Sequence, residues 1–476
     1  MSLSDNDFMD KDTYIKQLEE ENAGLKKRIE KLEKRIEELE RLLGMNSTNS
    51  SKPPSSNPPG VSAIILPRRR RKKRGAKNGH QPYLRELLPP NMVKQRFELK
   101  PHVCPCGGTN LEKTNEEPLR HQIVDIPPIE PQVIEYIQPI FRCKDCGQLL
   151  YQSLPDGVKR KYFGPGILSV VGILTGVLNT SKRKALAMIN EVFLVPMSLG
   201  GLSNCEAQLV DALEHPYNET IEHVRDQDVT HADETGWRRG NRQRGWLWTL
   251  CCAGAAFFMV QTERGQEAAR KLLGVFCGVL VSDRWGGYNF YCGIRQICWA
   301  HLKRDFKALS EAKGSTGKIG QQLYGLAKKI LKLRKRVRDG TLQWRAFQSR
   351  MTPLMNRVQE LLEEAGKDKC ALSGKCRRII KHRKNLWTFV YDRRVDPTNN
   401  LAERIVRQGV LWRKSSFGTQ SERGARYVER ILTVCATCRL QGRSVIEYLR
   451  EACHCHLSGI AVPSLIKPEG DLAKSA

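Results

Sequence analysis

From Ile15 to Leu43 an apolar residue returns every three or four positions for four heptads. Read from Ile15, position a holds Ile15, Asn22, Ile29, Ile36 and Leu43, and position d holds Leu18, Leu25, Leu32 and Leu39. Apolar side chains at a mean spacing of about 3.5 residues form a stripe that a helix buries by wrapping around another helix. β-Branched residues at a with Leu at d favour two parallel strands, and a single Asn at a fixes register and dimer state. The flanks agree: Glu21 faces Lys26, Arg28 faces Glu33 and Arg35 faces Glu40, each pair opposite in sign. Residues 1–45 are therefore expected to be a coiled-coil helix making a homodimer through residues 15–43, stopped by Gly44. The competing reading is a lone amphipathic helix packed on its own protein.

After this helix the chain changes character. Residues 46–62 (NSTNSSKPPSSNPPGVS) hold too few apolar side chains to form a core. A basic block follows: Arg68, Arg69, Arg70, Arg71, Lys72, Lys73 and Arg74, then Lys77. Residues 46–95 are expected to be a disordered basic linker that contacts DNA phosphates. The whole chain points the same way, with 79 Lys and Arg against 51 Asp and Glu and a net charge of +28. Such an excess implies a polyanionic partner, nucleic acid ahead of an anionic membrane surface. Charge alone does not separate a DNA enzyme from a DNA-binding regulator. No apolar run approaches the roughly 20 residues of a membrane span. The start, MSLSDNDFMDKD, is too polar for a secretory signal. A reducing bacterial cytoplasm, at the nucleoid, is expected. There the 16 cysteines read as thiols and metal ligands rather than disulfides.

Four of them form a pattern. Cys104 and Cys106 lie in VCPCGG, and Cys143 and Cys146 lie in RCKDCG. Paired thiols on two Gly-containing turns suit a tetrahedral structural Zn²⁺. The first half is the tighter C-x-C, so His102 or His121 can replace one ligand. Alternating stretches such as QVIEYIQPIFRC suggest a small β module over 96–155. Residues 156–222 look helical, and SKRKALAMINEVFLVPMSLGGLSNCEAQL allows a DNA-binding helix-turn-helix or an ordinary helix pair.

From Asp228 the pattern turns to strands. VTHADETGW, GWLWTLCCA and AAFFMVQ are short apolar runs, followed by the helix-like GQEAARKLLGVF and a strand, GVLVSD, ending on Asp283. Acids on the first and fourth strands suit a ribonuclease H-like sheet, in which neighbouring strands bring Asp233 and Asp283 together. The candidate third carboxylate is Glu403 in DPTNNLAERIVRQG, on a helix capped by Asp396 or Thr398 with Pro397 in its first turn. Asn399, Asn400, Glu403 and Arg407 share one face of it. Cleaving a phosphodiester develops negative charge on attacking and leaving oxygens, and two Mg²⁺ (or Mn²⁺) ions on carboxylates stabilise both. Glu234 is the rival of Asp233, but neighbouring strand residues point to opposite faces. Asp305 and Glu429 are rivals for the third position. His301, with Lys303, Arg304, Arg404, Arg407, Arg413 and Lys414, is placed to contact phosphate. Asn399 and Asn400 are candidates to orient Glu403. Cys435 and Cys438 read as buried thiols, while Cys453, His454, Cys455 and His456 leave metal binding open.

HADETGW, VSDRWGGYN, CWAHLKRDF and NNLAERIVRQGVLWRKSSFGTQSERGARYVERILTVCATCRLQG together resemble the transposases of the insertion-sequence-66 family. The resemblance extends over nearly the whole chain, including the NSSKPPSSNPP linker and the cysteine module. It implies a multidomain protein: an N-terminal coiled coil, a small zinc-binding module, and an α/β ribonuclease H-like catalytic domain (223–425) with a helical insertion at about 305–390, then a helical tail over 426–476. It maps the family's acidic triad to Asp233, Asp283 and Glu403. It implies DNA strand cleavage and transfer, recognition of terminal inverted repeats in double-stranded DNA, and small accessory proteins encoded by the element. The C-x-C half-site and the high cysteine count depart from the family pattern. A non-catalytic zipper and zinc regulator, or an inactivated relative, is the alternative, and a ribonuclease H-type nuclease without strand transfer is a third reading.

Overall fold

A computed structural model of the chain describes residues 11–43, 45, 85–155, 158, 162–240, 243–312, 314–367 and 373–467. The basic block from Arg68 to Lys77 and Gly44 lie outside the described residues.

Helix α1 (Lys11–Leu43) is unbroken. Its heptad stripe is half exposed, with Leu25 and Ile29 both at 55% and Leu32 at 57%. Among the described residues no other part of the chain covers this stripe.

The cysteine module is built of turns rather than strands. The expected β structure reduces to two paired dipeptides, β1 (Phe141–Arg142) and β2 (Leu149–Leu150). Two like turns hold the thiols: the Cys104 amide donates to Gly108 O at 2.8 Å, and the Cys143 amide to Gln148 O at 2.9 Å. Gly107 (φ +89°) and Gly147 (φ +75°) supply the left-handed residue each turn needs. Ile123, Ile126, Val133 and Ile137 are largely exposed. The segment thus buries little apolar surface, and this is why its alternating pattern does not become a sheet.

Four helices follow: α2 (Pro165–Val171), which continues through a π-helical segment (Gly172–Val177), α3 (Lys182–Glu191), α4 (Leu199–Ala212) and α5 (Glu214–Arg225). Between α3 and α4 the chain needs residues 192–198, longer than the three or four residues of a helix-turn-helix. Leu202, Cys205, Leu209 and Val210 of α4 are buried in the main core. The ordinary helix pair, not a protruding recognition helix, is what forms.

The sheet comprises β3 (Val229–Arg238), β4 (Arg244–Cys251), β5 (Ala256–Gln261), β6 (Val279–Ser282) and β7 (Arg295–Ile297), with α6 (Gln266–Leu273) between β5 and β6. The spatial order is β5-β4-β3-β6-β7. The first three strands form an antiparallel meander, and β6 and β7 run parallel to β3. Strand alternation sorts the side chains to two faces. Trp237, Leu247, Cys251 and Phe258 face one core, while Ala232, Trp248, Leu250 and Phe257 face the other against α6.

After β7 come α7 (Trp299–Ser310), α8 (Gly314–Arg338), α9 (Trp344–Lys367), α10 (Ser373–Ile380) and α11 (Thr388–Tyr391), the helical insertion, with its own core around Leu323, Phe347, Leu361 and Phe389. The chain then returns to the sheet as α12 (Asn400–Ser416), α13 (Glu422–Leu440) and α14 (Val445–Ser458). These last helices share one core with α2–α4, so residues 426–465 are part of the body rather than an appended tail. Gly409 brings α12 close to β4: a Cβ there would overlap Leu247.

Helix α13 also closes the sheet's edge. The amides of Ala256 and Phe258 donate to the hydroxyls of Thr437 and Thr433, both at 3.1 Å, and that of Val260 to Glu429 Oε1 at 2.6 Å. Four helical residues advance about 6 Å and two strand residues about 7 Å, so acceptors four apart serve amides two apart. An unpaired edge is thereby occupied.

Candidate active site

Val229 pairs with Val279 and His231 with Val281 across β3 and β6. Carried two residues further, this register sets Asp233 level with Asp283 on strands about 5 Å apart. Asp233 lies on the same face of β3 as Trp237, which is the face covered by α12. Glu403 is in the first turn of α12 and reaches the same place. Burial, then the charges of Glu234, Asp283 and Glu403, push the Asp233 carboxyl well above the usual carboxylate range. Three carboxylates from three elements thus meet in one electrostatic site. Two of them are tethered locally: the Glu234 amide donates to Asp233 Oδ1 at 3.0 Å, and the Trp285 amide to Asp283 Oδ1 at 2.9 Å.

The rivals are held elsewhere. Glu234 points to the opposite face, where Arg264 donates to Oε1 at 2.8 Å and Tyr288 Oη to Oε2 at 3.1 Å. Burial and Asp283 nevertheless push Glu234 up to about 7. Arg264 lies over Trp246 and Trp285, 4.7 and 4.8 Å from the ring centroids, so this cluster braces the turn after Asp283. Asp305 is engaged by Arg284 at 2.8 Å and Lys375 at 3.4 Å. Glu429 serves the sheet edge.

Asn399 is the N-cap of α12, in place of Asp396 or Thr398, yet its side chain makes no cap bond. It turns to β3, where Nδ2 donates to Ala232 O at 2.7 Å and Oδ1 lies 3.2 Å from His231 Nδ1. Pro397 precedes the helix, and its carbonyl accepts from the Trp299 amide at 2.7 Å. Asn399 therefore fixes where Glu403 starts, while Asn400 is exposed.

Arg404, Arg407 and Lys414 are exposed along α12. Arg413 is not free for phosphate: half-buried, it donates to the Gly236 carbonyl and ties α12 to β3, and burial lowers its pKa. His301 sits on α7 with Nδ1 3.5 Å from Glu403 Oε1. Burial and Arg304 lower its pKa.

Cys298 is the residue that sequence reasoning passed over. Its thiol accepts the Asn399 amide at 3.1 Å and lies 4.0 Å from Glu403 Oε1. Burial pushes it up to about 11. Cys298 and His301, three apart in CWAH, share a helical face, and that spacing was the available signal. Among the described residues, Cys298, His301 and Glu403 form a trio of potential ligands within 4.8 Å of one another. The thiols of the N-terminal module stand as two pairs, Cys104 with Cys106 and Cys143 with Cys146. In each pair the neighbouring backbone amide and then the partner thiol lower one pKa, that of Cys106 and of Cys143. Cys435, Cys438, Cys453 and Cys455 are buried, whereas His454 points to solvent, so the late cluster does not converge on a metal. No helix among the described residues is long and apolar enough to cross a membrane.

Comparison with known proteins agrees with this organisation. Residues 101–147 match the zinc-finger binding domain of transposase IS66, which makes the module a zinc-binding one. Residues 6–86 match a family of unknown function. An uncharacterised protein y4hP of Sinorhizobium fredii is 24% identical over 75% of this chain and 71% of its own length. A second from the same organism, y4jD, is 20% identical over 81% of each chain. Residues 163–427, more than half of the chain and the whole of the sheet with its acids, match the transposase IS66 family model, and the protein belongs to that family.

Proposed function

We propose that the chain is an active DNA transposase whose chemistry runs on Asp233, Asp283 and Glu403 as ligands of two Mg²⁺ (or Mn²⁺) ions. The observation that carries this is the Asp233 carboxyl, held well above its ordinary range by burial and by the other two acids. Converging carboxylates repel one another unless cations or protons intervene, and an all-oxygen donor set suits a hard divalent ion. Bound there, two such ions stabilise charge on the attacking and leaving oxygens of a phosphodiester. The strand order and directions support a ribonuclease H-like reading of the sheet. In the first step water attacks phosphorus at the element end, the P–O3′ bond breaks and a 3′-OH is released. In the second that hydroxyl attacks a target phosphodiester and a target 3′-OH leaves. The chain's own part is placement: β3 and β6 fix two acids side by side, Asn399 sets the third, and Arg404, Arg407 and Lys414 offer cations to the DNA backbone. The partner is double-stranded DNA carrying the terminal inverted repeats, with accessory proteins of the element as further partners, in the bacterial cytoplasm at the nucleoid. The basic block Arg68–Arg74 supplies sequence-independent phosphate contact. A homodimer through α1 pairs two catalytic units, and Cys104, Cys106, Cys143 and Cys146 hold a structural Zn²⁺.

The test is Mg²⁺-dependent nicking and joining of element-end DNA by the intact protein and by Asp283→Ala. The variant is expected to lose at least about a thousandfold, the scale of removing a catalytic group. Equal activity in the variant would overturn the triad; no activity in either protein would favour a DNA-binding regulator, and cleavage without joining a simple nuclease.

A further inference from the structure

One oxygen of Glu403 is approached from three sides. His301 Nδ1 lies 3.5 Å, Arg304 Nη2 3.8 Å and Cys298 Sγ 4.0 Å from Oε1. A thiol, an imidazole and a carboxylate this close suggest a soft-metal site, but a fourth contact argues otherwise. Arg304 Nη2 is 3.2 Å from His301 Nε2. A guanidinium only donates, so Nε2 must offer its lone pair and the proton of the neutral ring resides on Nδ1. A protonated Nδ1 has no lone pair for a metal. It is instead a donor, buried and without a hydrogen-bond partner, beside the Glu403 carboxylate. Leaving such a donor unpaired is unfavourable, so a slight approach of the two groups is favoured.

The two groups sit on elements joined at their first turns. Cys298 Sγ accepts the Asn399 amide at 3.1 Å, and Pro397 O accepts that of Trp299 at 2.7 Å. Ring and carboxylate are thereby held in register from α7 and α12. We infer that His301 is a positioning residue for Glu403: Arg304 sets its tautomer, Nδ1–H engages Oε1, and Oε2 is left to turn towards Asp233 and Asp283. This replaces the expected phosphate contact of His301, and it rests on Glu403 being the third ion ligand.

The experiment measures Mn²⁺ binding to the full-length, zinc-loaded protein by electron paramagnetic resonance. It compares the unaltered chain with His301→Asn, His301→Gln and Asp283→Ala, each first checked for folding by circular dichroism. An Asn amide nitrogen falls near the ring Nδ1 position and a Gln amide nitrogen near Nε2. His301→Gln is expected to weaken binding ten- to a hundredfold, the range seen when a group orienting a metal ligand is lost, and His301→Asn by no more than about threefold. If Asn and Gln behave alike while Asp283→Ala abolishes binding, the tautomer-set positioning is wrong and the triad stands. If Asp283→Ala binds Mn²⁺ like the unaltered chain, the triad reading falls and this inference with it.

Discussion

Two glutamates in the last helices, Glu403 and Glu429, look alike in the sequence and do different work. Glu429 accepts the Val260 amide at the sheet edge, and burial pushes it up to about 7. An unfolded glutamate ionises near 4.5, so between that pH and about 7 the folded chain binds more protons than the unfolded one. Its ionisation therefore lowers stability as pH rises through this window. Glu429→Gln keeps an acceptor for Val260 and removes the charge. The variant is expected to be more stable than the unaltered chain at pH 8 by roughly 1–3 kcal/mol, and about equal near pH 4.5, as read from urea midpoints. A loss of stability at pH 8 would show that the edge needs the carboxylate charge. At this scale the residues alone left Glu429 as a rival third acid, and the family resemblance ranked Glu403 first. What separates them is which neighbour each side chain meets, and both neighbours are distant in sequence.

Elements were legible where their pattern is local. The heptads of α1, the strand ending on Asp283 and the helix carrying Glu403 all follow from periodicity and turn residues. The cysteine module was misread as β-structured because alternation signals a strand only when a second layer covers one face, and here Ile123, Ile126 and Ile137 stay exposed. The N-cap of α12 was also misplaced. Asn399 gives up its own capping bond to hold Ala232 and His231, a tertiary demand that overrides the local preference. For α1, the half-exposed stripe leads to a definite expectation. A chain carrying Leu25→Glu and Leu32→Glu should sediment as a monomer, since two charges at d positions disrupt the seam. A dimer that survives both changes would place the interface elsewhere.

At the scale of the molecule, the described residues form three cores between Leu168 and Leu465, and none of the three includes the zinc module. All eight tryptophans fall between Trp237 and Trp412. Tryptophan fluorescence therefore reports the sheet, its neighbouring loops, the insertion and α12, and not the zinc module. A zinc-selective chelator should expose residues 101–147 to proteolysis while leaving the fluorescence melting transition within about 2 °C, because metal energy is local to the domain it closes. A large drop in that transition would mean the module supports the body that carries the sheet.

By itself the sequence determined the basic character, the zinc pattern and the family, and pointed to three acids. These are set by composition, short spacings and periodicity, which neighbouring residues carry between them. The tertiary structure decided which face each acid occupies, that Arg413 serves β3 rather than DNA, that the final helices complete the first core, and that Cys298 and His301 stand against Glu403. Those outcomes depend on register between strands and docking between elements up to 252 residues apart, and no local window of sequence contains them.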